Sequence, residues 1–333
     1  MKKDINQLIA RVKSVLRRHE IRPGAYARWG WNDENNSRDM GVNEYGCADA
    51  ANILYTIGEF PKKPEERKNW IETLQGLQHA DSGLFVEPTH HPIHTTAHCI
   101  AALELFDAEI KYELKALEKY KSKNALYELL EGLAWDSSPW NNSHIGAGIY
   151  AAMNLAKEAS PEWNKWYFDW LWEEADAQTG LWRKGFVKEG NAPIFEHMAS
   201  SFHYVFNHAY ARMPLRYPQQ MIDTCLAMYK RGDLPGYFGH TPGFLEIDWV
   251  YCITRALRQC GHRFDTCKAV LQEFADHYID ALLSLDPETD DTFNDLHMLF
   301  GSMCCVAELQ QTLPGSIISD TPLKLVLDRR PFI

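Results

Sequence analysis

A short segment that recurs six times constrains the fold of this chain more than any other feature. Residues 41–55 read GVNEYGCADAANILY, a polar, turn-forming cluster followed by an apolar helical run. Related segments begin at residues 92, 141, 193, 243 and 292. One titratable residue near each start marks intervals of 50, 50, 52, 50 and 49 residues, and these markers are Glu44, His94, His144, Glu196, Glu246 and Asp295. A period of this size is typical of a repeat architecture.

Six other segments, which are more polar, alternate with the recurring ones. Helices are expected at residues 5–18, 64–79, 111–133 with a break near 121–123, 163–177, 216–230 and 264–285. The recurring segments contain small residues such as Ala50, Ala51 and Gly148, which allow close helix packing, so they are expected to form an inner ring. The sequence therefore predicts an all-α fold, an (α/α)6 toroid of about twelve helices.

The connections differ in length and give the toroid two unlike faces. Links from an inner to an outer helix are short, whereas the returning links, such as residues 80–92 and 178–193, are long. All long loops should then lie over the amino-terminal ends of the inner helices. Long structured loops on a rigid scaffold commonly carry function, so this face is expected to hold the site.

Composition limits the class of protein. Six like units without a linker predict a single domain over residues 1–333, with an extended tail at 314–333. A formal net charge of -11 argues against a nucleic-acid-binding protein. The chain lacks an apolar run of about 18 residues, so no membrane span is expected. The charged first residues do not resemble a signal peptide, and the eight cysteines fall in apolar patterns, which predicts reduced thiols and a cytoplasmic location.

Two families share this layout, and one of them also shares a local motif. Residues 176–182 read DAQTGLW and residues 196–200 read EHMAS. They resemble the D-x-x-T-G-L-W turn and the E-x-x-x-S helix start of unsaturated rhamnogalacturonyl hydrolases, which are six-hairpin glycosidases. The match covers about one of the six repeats and implies action on a sugar. A resemblance to terpenoid cyclases and protein prenyltransferases is architectural, because the chain has no D-x-D-D or D-D-x-x-D motif.

The titratable residues at the helix starts are the candidates for catalysis. Two nearby carboxyl groups with different pKa values can act as acid and as base or nucleophile on a glycosidic bond. A histidine beside a carboxylate instead suits proton abstraction, as in a lyase or isomerase. Glu196 is expected to pair with Asp248 or Glu246. The proton carriers or ligand donors are expected to be His94, His144 and His197.

A second group of residues is expected to bind the substrate. Four aromatic side chains in the loops are candidates for stacking on sugar rings: Trp31, Trp140, Trp182 and Tyr237. The polar candidates are Glu44, His90, Lys184, His240, Asp295 and His297. His94 and His98 are spaced to share a metal, but no H-E-x-x-H pattern surrounds them, so neither a metal nor another cofactor is expected.

The sequence favours an enzyme that acts on a uronate-containing oligosaccharide, with hydrolysis preferred over lyase or isomerase chemistry. Helix amino termini that converge on one pocket favour an anionic small-molecule or oligosaccharide ligand. A homodimer is compatible with the sequence. One alternative is a cyclase-type or prenyltransferase-like enzyme, and another is a non-catalytic toroid that binds a ligand or partner. The last predicts that the ring residues are occupied in helix caps and salt bridges.

Overall fold

Helices dominate the computed structural model, which describes residues 2–234, 242–330 and 332. In chain order the first seven α-helices are α1 (Asn6–His19), α2 (Glu44–Thr56), α3 (Pro64–Gly76), α4 (Pro92–Leu105), α5 (Lys123–Glu131), α6 (Pro139–Leu155) and α7 (Pro161–Glu174). The next seven are α8 (Ile194–Ala211), α9 (Pro218–Arg231), α10 (Phe244–Cys260), α11 (Phe264–Ser284), α12 (Asp291–Asn294), α13 (Leu296–Thr312) and α14 (Val326–Arg329). The all-α prediction is confirmed.

Extended structure is limited to short pairs of strands. Strand β1 (Lys3–Asp4) runs parallel to β4 (Ile317–Ile318), and β2 (Glu20–Arg22) pairs antiparallel with β3 (Ala25–Tyr26). The first pair joins the beginning of the described chain to the segment that follows α13.

The six recurring segments contact one another in cyclic order. Helix α2 packs on α4, α4 on α6, α6 on α8, α8 on α10 and α10 on α13, and α13 then returns to α2. Three of the alternating helices pack directly against these six: α3 contacts both α2 and α4, α9 contacts α10, and α11 contacts both α10 and α13. We interpret the cyclic order as the inner ring of the expected toroid.

Small residues allow the inner helices to approach closely. A Cβ added at Gly148 on α6 would lie 3.2 Å from Cγ2 of Ile93 on α4. Many alanines of the inner helices are fully buried, among them Ala50, Ala51, Ala101, Ala102, Ala151 and Ala152. Larger side chains at these positions would force the helices apart, so the composition of the recurring segments determines the tightness of the ring.

Polar side chains cap the starts of several helices. Asn43 accepts a hydrogen bond from the backbone N–H of Gly46 at 2.7 Å and so caps α2. The break expected near residues 121–123 is present, because a 3₁₀-helix ends at Lys121 and Ser122 caps α5. These caps satisfy N–H groups that have no partner within the helix.

The segment after residue 314 folds back onto the ring. Helix α14 contacts α2 and α8. The guanidinium of the fully buried Arg330 donates from Nε to the side-chain oxygen of Asn52 on α2, at 3.0 Å. Phe332 is also fully buried, and its ring centroid lies 5.4 Å from that of Phe206 and 4.8 Å from that of His94. This segment therefore lines the interior of the ring below the histidines.

The sequence also predicted reduced cysteines and no membrane-spanning helix. All eight cysteines are free thiols, and each of them except Cys260 is buried. Within the residues that the structure describes, no helix has both the length and the apolar character needed to cross a bilayer.

Two helical glycines provide a matched test of the packing at the start of α2. A Cβ at Gly46 would lie 2.4 Å from the backbone oxygen of Tyr26, whereas a Cβ at Gly76 would meet no atom within 4 Å. We expect Gly46→Ala to lower the free energy of unfolding by about 1–3 kcal/mol, because backbone atoms cannot move aside as a flexible side chain can. We expect Gly76→Ala to be neutral or to stabilise by up to about 1 kcal/mol. Urea unfolding measures both, and equal effects would contradict the packing described.

Candidate functional site

A cavity of about 500 Å³ lies at the amino-terminal ends of the inner helices. Its lining residues come from the starts of α4, α6, α8, α10 and α13, from deeper positions on some of these helices and from the loop before α2. They are Arg28, His90, His94, Trp140, Asn141, His144, Phe195, His203, Gly243, Phe244, Leu245, Glu246, Asp248, His297 and Met298. The cavity thus lies on the face where the long loops predicted a site.

A buried carboxylate links three inner helices beside this cavity. Oδ1 of Asp49 on α2 accepts hydrogen bonds from Nε2 of His98 on α4, at 2.8 Å, and from Nδ1 of His297 on α13, at 3.1 Å. Burial alone would raise the pKa of Asp49, but the two imidazoles outweigh it and hold that pKa below its ordinary value. Burial lowers the pKa of His297 to about 3, despite the nearby carboxylate.

The protonation states that follow orient His297. An ionised Asp49 accepts an N–H from each neutral imidazole, so Nδ1 of His297 carries the proton. Its Nε2 is then the unprotonated nitrogen, on the ring that lines the cavity. A buried carboxylate that fixes the tautomer of a histidine in this way prepares that histidine to accept a proton.

Asp248 on α10 also lines this cavity, and its carboxyl group has the opposite character. It is fully buried, and neither carboxyl oxygen has a hydrogen-bond partner among the described residues. Burial, assisted by the charge of Glu246, raises its pKa well above the ordinary value. Its neighbour Glu246 is engaged, because Oε2 accepts the backbone N–H of Gly243 at 2.8 Å at the start of α10. Asp248 is therefore the carboxyl group that can retain a proton in the cavity.

Three further histidines converge from consecutive inner helices. His94 lies on α4, His144 on α6 and His203 on α8, and one ring nitrogen of each lies within 4.8 Å of the other two. The ring centroids of His94 and His144 are 4.3 Å apart, and those of His144 and His203 are 4.9 Å apart. Burial lowers the pKa of all three, that of His203 to about 3. Neutral imidazoles in this arrangement are a ligand set that could hold a metal ion.

Arg28 brings a positive charge to the cavity, but that charge is compensated. Its Nε and Nη2 each donate to Asp295 at 2.8 Å, and its Nη1 donates to Thr89 at 2.7 Å. Asp295 also accepts the backbone N–H of His297 at 2.9 Å and so caps α13. Asp295 therefore serves an ion pair and a helix cap, and it does not line the cavity.

The structure brings seven of the sequence-predicted site residues to the cavity lining. These are His90, His94, Trp140, His144, Glu246, Asp248 and His297. Seven others do not line it: Trp31, Glu44, Trp182, Lys184, Glu196, His197 and Asp295. Tyr237 and His240 lie outside the described residues.

Four of the predicted site residues that do not line the cavity have hydrogen-bond or salt-bridge partners elsewhere. Trp182 is buried and donates from Nε1 to the carbonyl of Leu171 at 2.7 Å, and its own carbonyl lies 3.1 Å from Nδ1 of His197. The exposed Lys184 pairs with Glu174. Trp31 is half-buried, and its backbone N–H donates to Asn294.

The two glutamates among them differ in burial. Glu44 is buried, and burial raises its pKa to about 7. Glu196 is half-buried, and burial raises its pKa above the ordinary value. Neither faces the carboxyl group of Asp248 across the cavity, so the geometry does not assemble the carboxyl pair of Glu196 with Asp248.

Asp49 and His203 were not identified from the sequence as site residues. The sequence-based prediction also grouped His94 with His98, whereas the structure groups His94 with His144 and His203. It considered a metal shared by His94 and His98, but His98 is bonded to Asp49. The missed residues lie deeper in their helices than the first turn that was used to mark the repeat. Their signal is a titratable residue within an otherwise apolar inner helix, because a buried polar group requires a partner.

The acid form of Asp248 has a consequence for stability. A carboxyl group whose pKa is higher in the folded state stabilises that state at pH values below its unfolded pKa of about 3.9, and this contribution is lost as the pH rises toward the folded pKa. We therefore expect Asp248→Asn to be about 1–3 kcal/mol more stable than the wild type at pH 8, with a difference that shrinks toward pH 4. Urea unfolding across this range, with the exposed Asp265→Asn as control, measures the difference. A difference that does not vary with pH would contradict the assignment.

The motif that carried the resemblance to unsaturated rhamnogalacturonyl hydrolases forms a hydrogen-bonded turn. Oδ1 of Asp176 accepts from the backbone N–H groups of Gln178 and Thr179 and from the hydroxyl of Thr179, at 3.0, 2.8 and 2.7 Å. These residues do not line the cavity. In comparisons with protein-family models, with curated proteins and with solved structures, the chain has no match. The resemblance therefore stays a prediction.

Proposed function

We propose that this chain is a carbohydrate-active enzyme that moves a proton at a small anionic sugar by general acid–base catalysis. His297 would act as the base and Asp248 as the acid. The observation that carries the proposal is that an imidazole oriented by a buried carboxylate and an unpartnered buried carboxyl group line one cavity. Acid and base groups with separated pKa values are the usual requirement for such chemistry.

A hydrogen bond to Asp49 sets the tautomer of the proposed base, His297. Asp49 holds Nδ1–H of His297, which leaves Nε2 to accept a proton from the substrate. When the imidazole becomes charged, Asp49 stabilises that charge at a distance of 3.1 Å. Asp49 is thus a positioning residue, and His297 is the residue that contacts the substrate.

The acid is prepared by burial. Asp248 meets no compensating positive charge or hydrogen-bond donor among the described residues, so its neutral form is favoured. A neutral carboxyl group can donate a hydrogen bond or a proton to an oxygen of the substrate. An enolate oxygen or a leaving group gains most from such a donor, because its negative charge develops during the reaction.

The lining supports a sugar that carries a negative charge. Trp140, Phe195 and Phe244 offer aromatic surface for a sugar ring. The amino-terminal ends of several inner helices meet at the cavity, and their partial positive charges favour a carboxylate. Because Arg28 is already paired with Asp295, these helix ends carry most of the preference for an anion.

The geometry favours proton abstraction, as in a lyase or isomerase, over the hydrolysis that the sequence favoured. Hydrolysis requires a second carboxyl group opposite the first. Glu196 does not line the cavity, and Glu246 is bonded to the start of its own helix. Hydrolysis with Glu246 as the second group remains the other candidate, because Glu246 and Asp248 line the same cavity.

The location and the partners are proposed on less direct grounds. The eight free thiols support the cytoplasmic location that the sequence predicts. The proposed partner is the anionic sugar itself. The homodimer stays a prediction of the sequence.

Isotope exchange tests the reaction class directly. We would incubate the protein in deuterated water with a panel of uronates, neutral sugars and uronate oligosaccharides, and follow carbon-bound protons by NMR. Proton abstraction predicts exchange or elimination at one carbon of a uronate. Both Asp248→Asn and His297→Gln are expected to slow it by about 100-fold or more, since general acid–base catalysis contributes 10²–10⁴-fold.

The matched control for this experiment is Glu196→Gln, which alters a carboxyl group outside the cavity lining. It is expected to leave the exchange rate unchanged. Thermal unfolding would establish that each variant is folded. Cleavage without exchange of carbon-bound protons would support hydrolysis instead, and the absence of any reaction across the panel would contradict the proposed substrate class.

A further inference from the structure

The cluster of His94, His144 and His203 is not used by the proposed acid and base. Its three nitrogens come from three consecutive inner helices and lie within 4.8 Å of one another. Tetrahedral Zn²⁺, with Zn–N distances of about 2.0–2.1 Å, separates two ligand nitrogens by about 3.3 Å. The three nitrogens therefore need to move inward by less than about 1 Å each, which side-chain rotation supplies.

Hydrogen bonding around His203 fixes its tautomer. The hydroxyl of Ser143 donates its single proton to the carbonyl of Trp140, at 2.5 Å. Its oxygen, 3.0 Å from Nδ1 of His203, must then accept the proton on that nitrogen. Nε2 of His203 is consequently unprotonated, as a metal ligand requires.

His94 has a comparable outer partner. The hydroxyl of the fully buried Tyr45 lies in hydrogen-bond contact with its Nδ1. When this hydroxyl accepts Nδ1–H, the lone pair of Nε2 is free to bind an ion. Outer partners of this kind orient histidine ligands and set their tautomer in metal sites. His144 has no hydrogen bond with the described residues and can rotate toward an ion.

The second cluster of possible ligands is already joined by hydrogen bonds between its members, although Oδ2 of Asp49 and Nδ1 of His98 lack a partner among the described residues. In Asp49, His98 and His297 the facing atoms already share hydrogen bonds, and an ion would have to replace both. No such bond joins the facing nitrogens of His94, His144 and His203 within the described part of the chain. One ring nitrogen of each lies within 4.8 Å of the other two, so the three are close enough to bind a single cation.

We propose that His94, His144 and His203 bind one divalent ion of the zinc class and leave a further coordination position open to the cavity. Imidazole nitrogens suit Zn²⁺ and its first-row neighbours, and three protein ligands with an open position are typical of a site that binds a water or a ligand oxygen. All three histidines line the cavity, so a ligand oxygen there has access to the ion.

Direct binding measurements test this inference, and it does not depend on the proposed reaction. The full chain would be stripped with a chelator and titrated with Zn²⁺ in competition with a chromophoric chelator. A parallel titration with Co²⁺ would be followed by its visible absorption. We expect one equivalent of ion and the intense bands of tetrahedral cobalt. No binding by the folded wild type would overturn the proposal.

Variants identify the ligands. His144→Ala and His203→Ala are expected to weaken binding by at least about 100-fold, and Ser143→Ala by about 10–100-fold through the lost outer hydrogen bond. The exposed His277→Ala is the control and should bind as the wild type does. Circular dichroism and thermal unfolding would confirm that each variant is folded.

Three outcomes separate this proposal from other possibilities. Binding that is lost in His98→Asn but retained in both His144→Ala and His203→Ala would assign the ion to the Asp49 cluster and overturn the proposal. Ion binding without isotope exchange on any sugar would support the metal site and contradict the proposed function. Exchange without ion binding would do the reverse.

Discussion

The arrangement of the site depends on the two hydrogen bonds that the buried carboxylate of Asp49 accepts. A fully buried charge is costly unless hydrogen bonds compensate it. Here the compensation comes from His98 on α4 and from His297 on α13. Helices α2, α4 and α13 meet where the last inner helix packs against the first. The hydrogen bonds of Asp49 therefore also stabilise the contact that closes the ring.

The same hydrogen bonds compensate a buried charge and orient the proposed base, His297. Nδ1 of His297 donates to Asp49, and the same imidazole lines the cavity. Asp248, on the neighbouring helix α10, has the opposite relation to its surroundings, because no described group compensates it. The site therefore combines a buried carboxylate beside the cavity, whose Oδ1 accepts two hydrogen bonds, and a carboxyl group of the cavity lining that accepts none from the described residues. That contrast, rather than the number of acidic residues, separates a base from an acid.

The repeat in the sequence predicted the helices, their two kinds and the face that bears the cavity. It identified His94, His144, Glu246 and His297 because these residues lie near the first turn of an inner helix. It could not rank the aromatic residues, since Trp140 lines the cavity whereas Trp182 packs inside the protein. That distinction depends on how each loop folds across the ring. His203 and Asp49 were missed because the repeat does not indicate at which depth helices from different units face one another.

The return of α13 to α2 also limits how such a protein can change its size. An open solenoid can gain or lose a unit at little cost, because each unit contacts only its neighbours. Here the contact of α13 with α2 holds Asp49 beside His297, so an inserted unit would have to widen the ring or separate these two residues. Strands β1 and β4 place the segment before α1 beside the segment that follows α13, so the start and the end of the ring are also joined outside the helices.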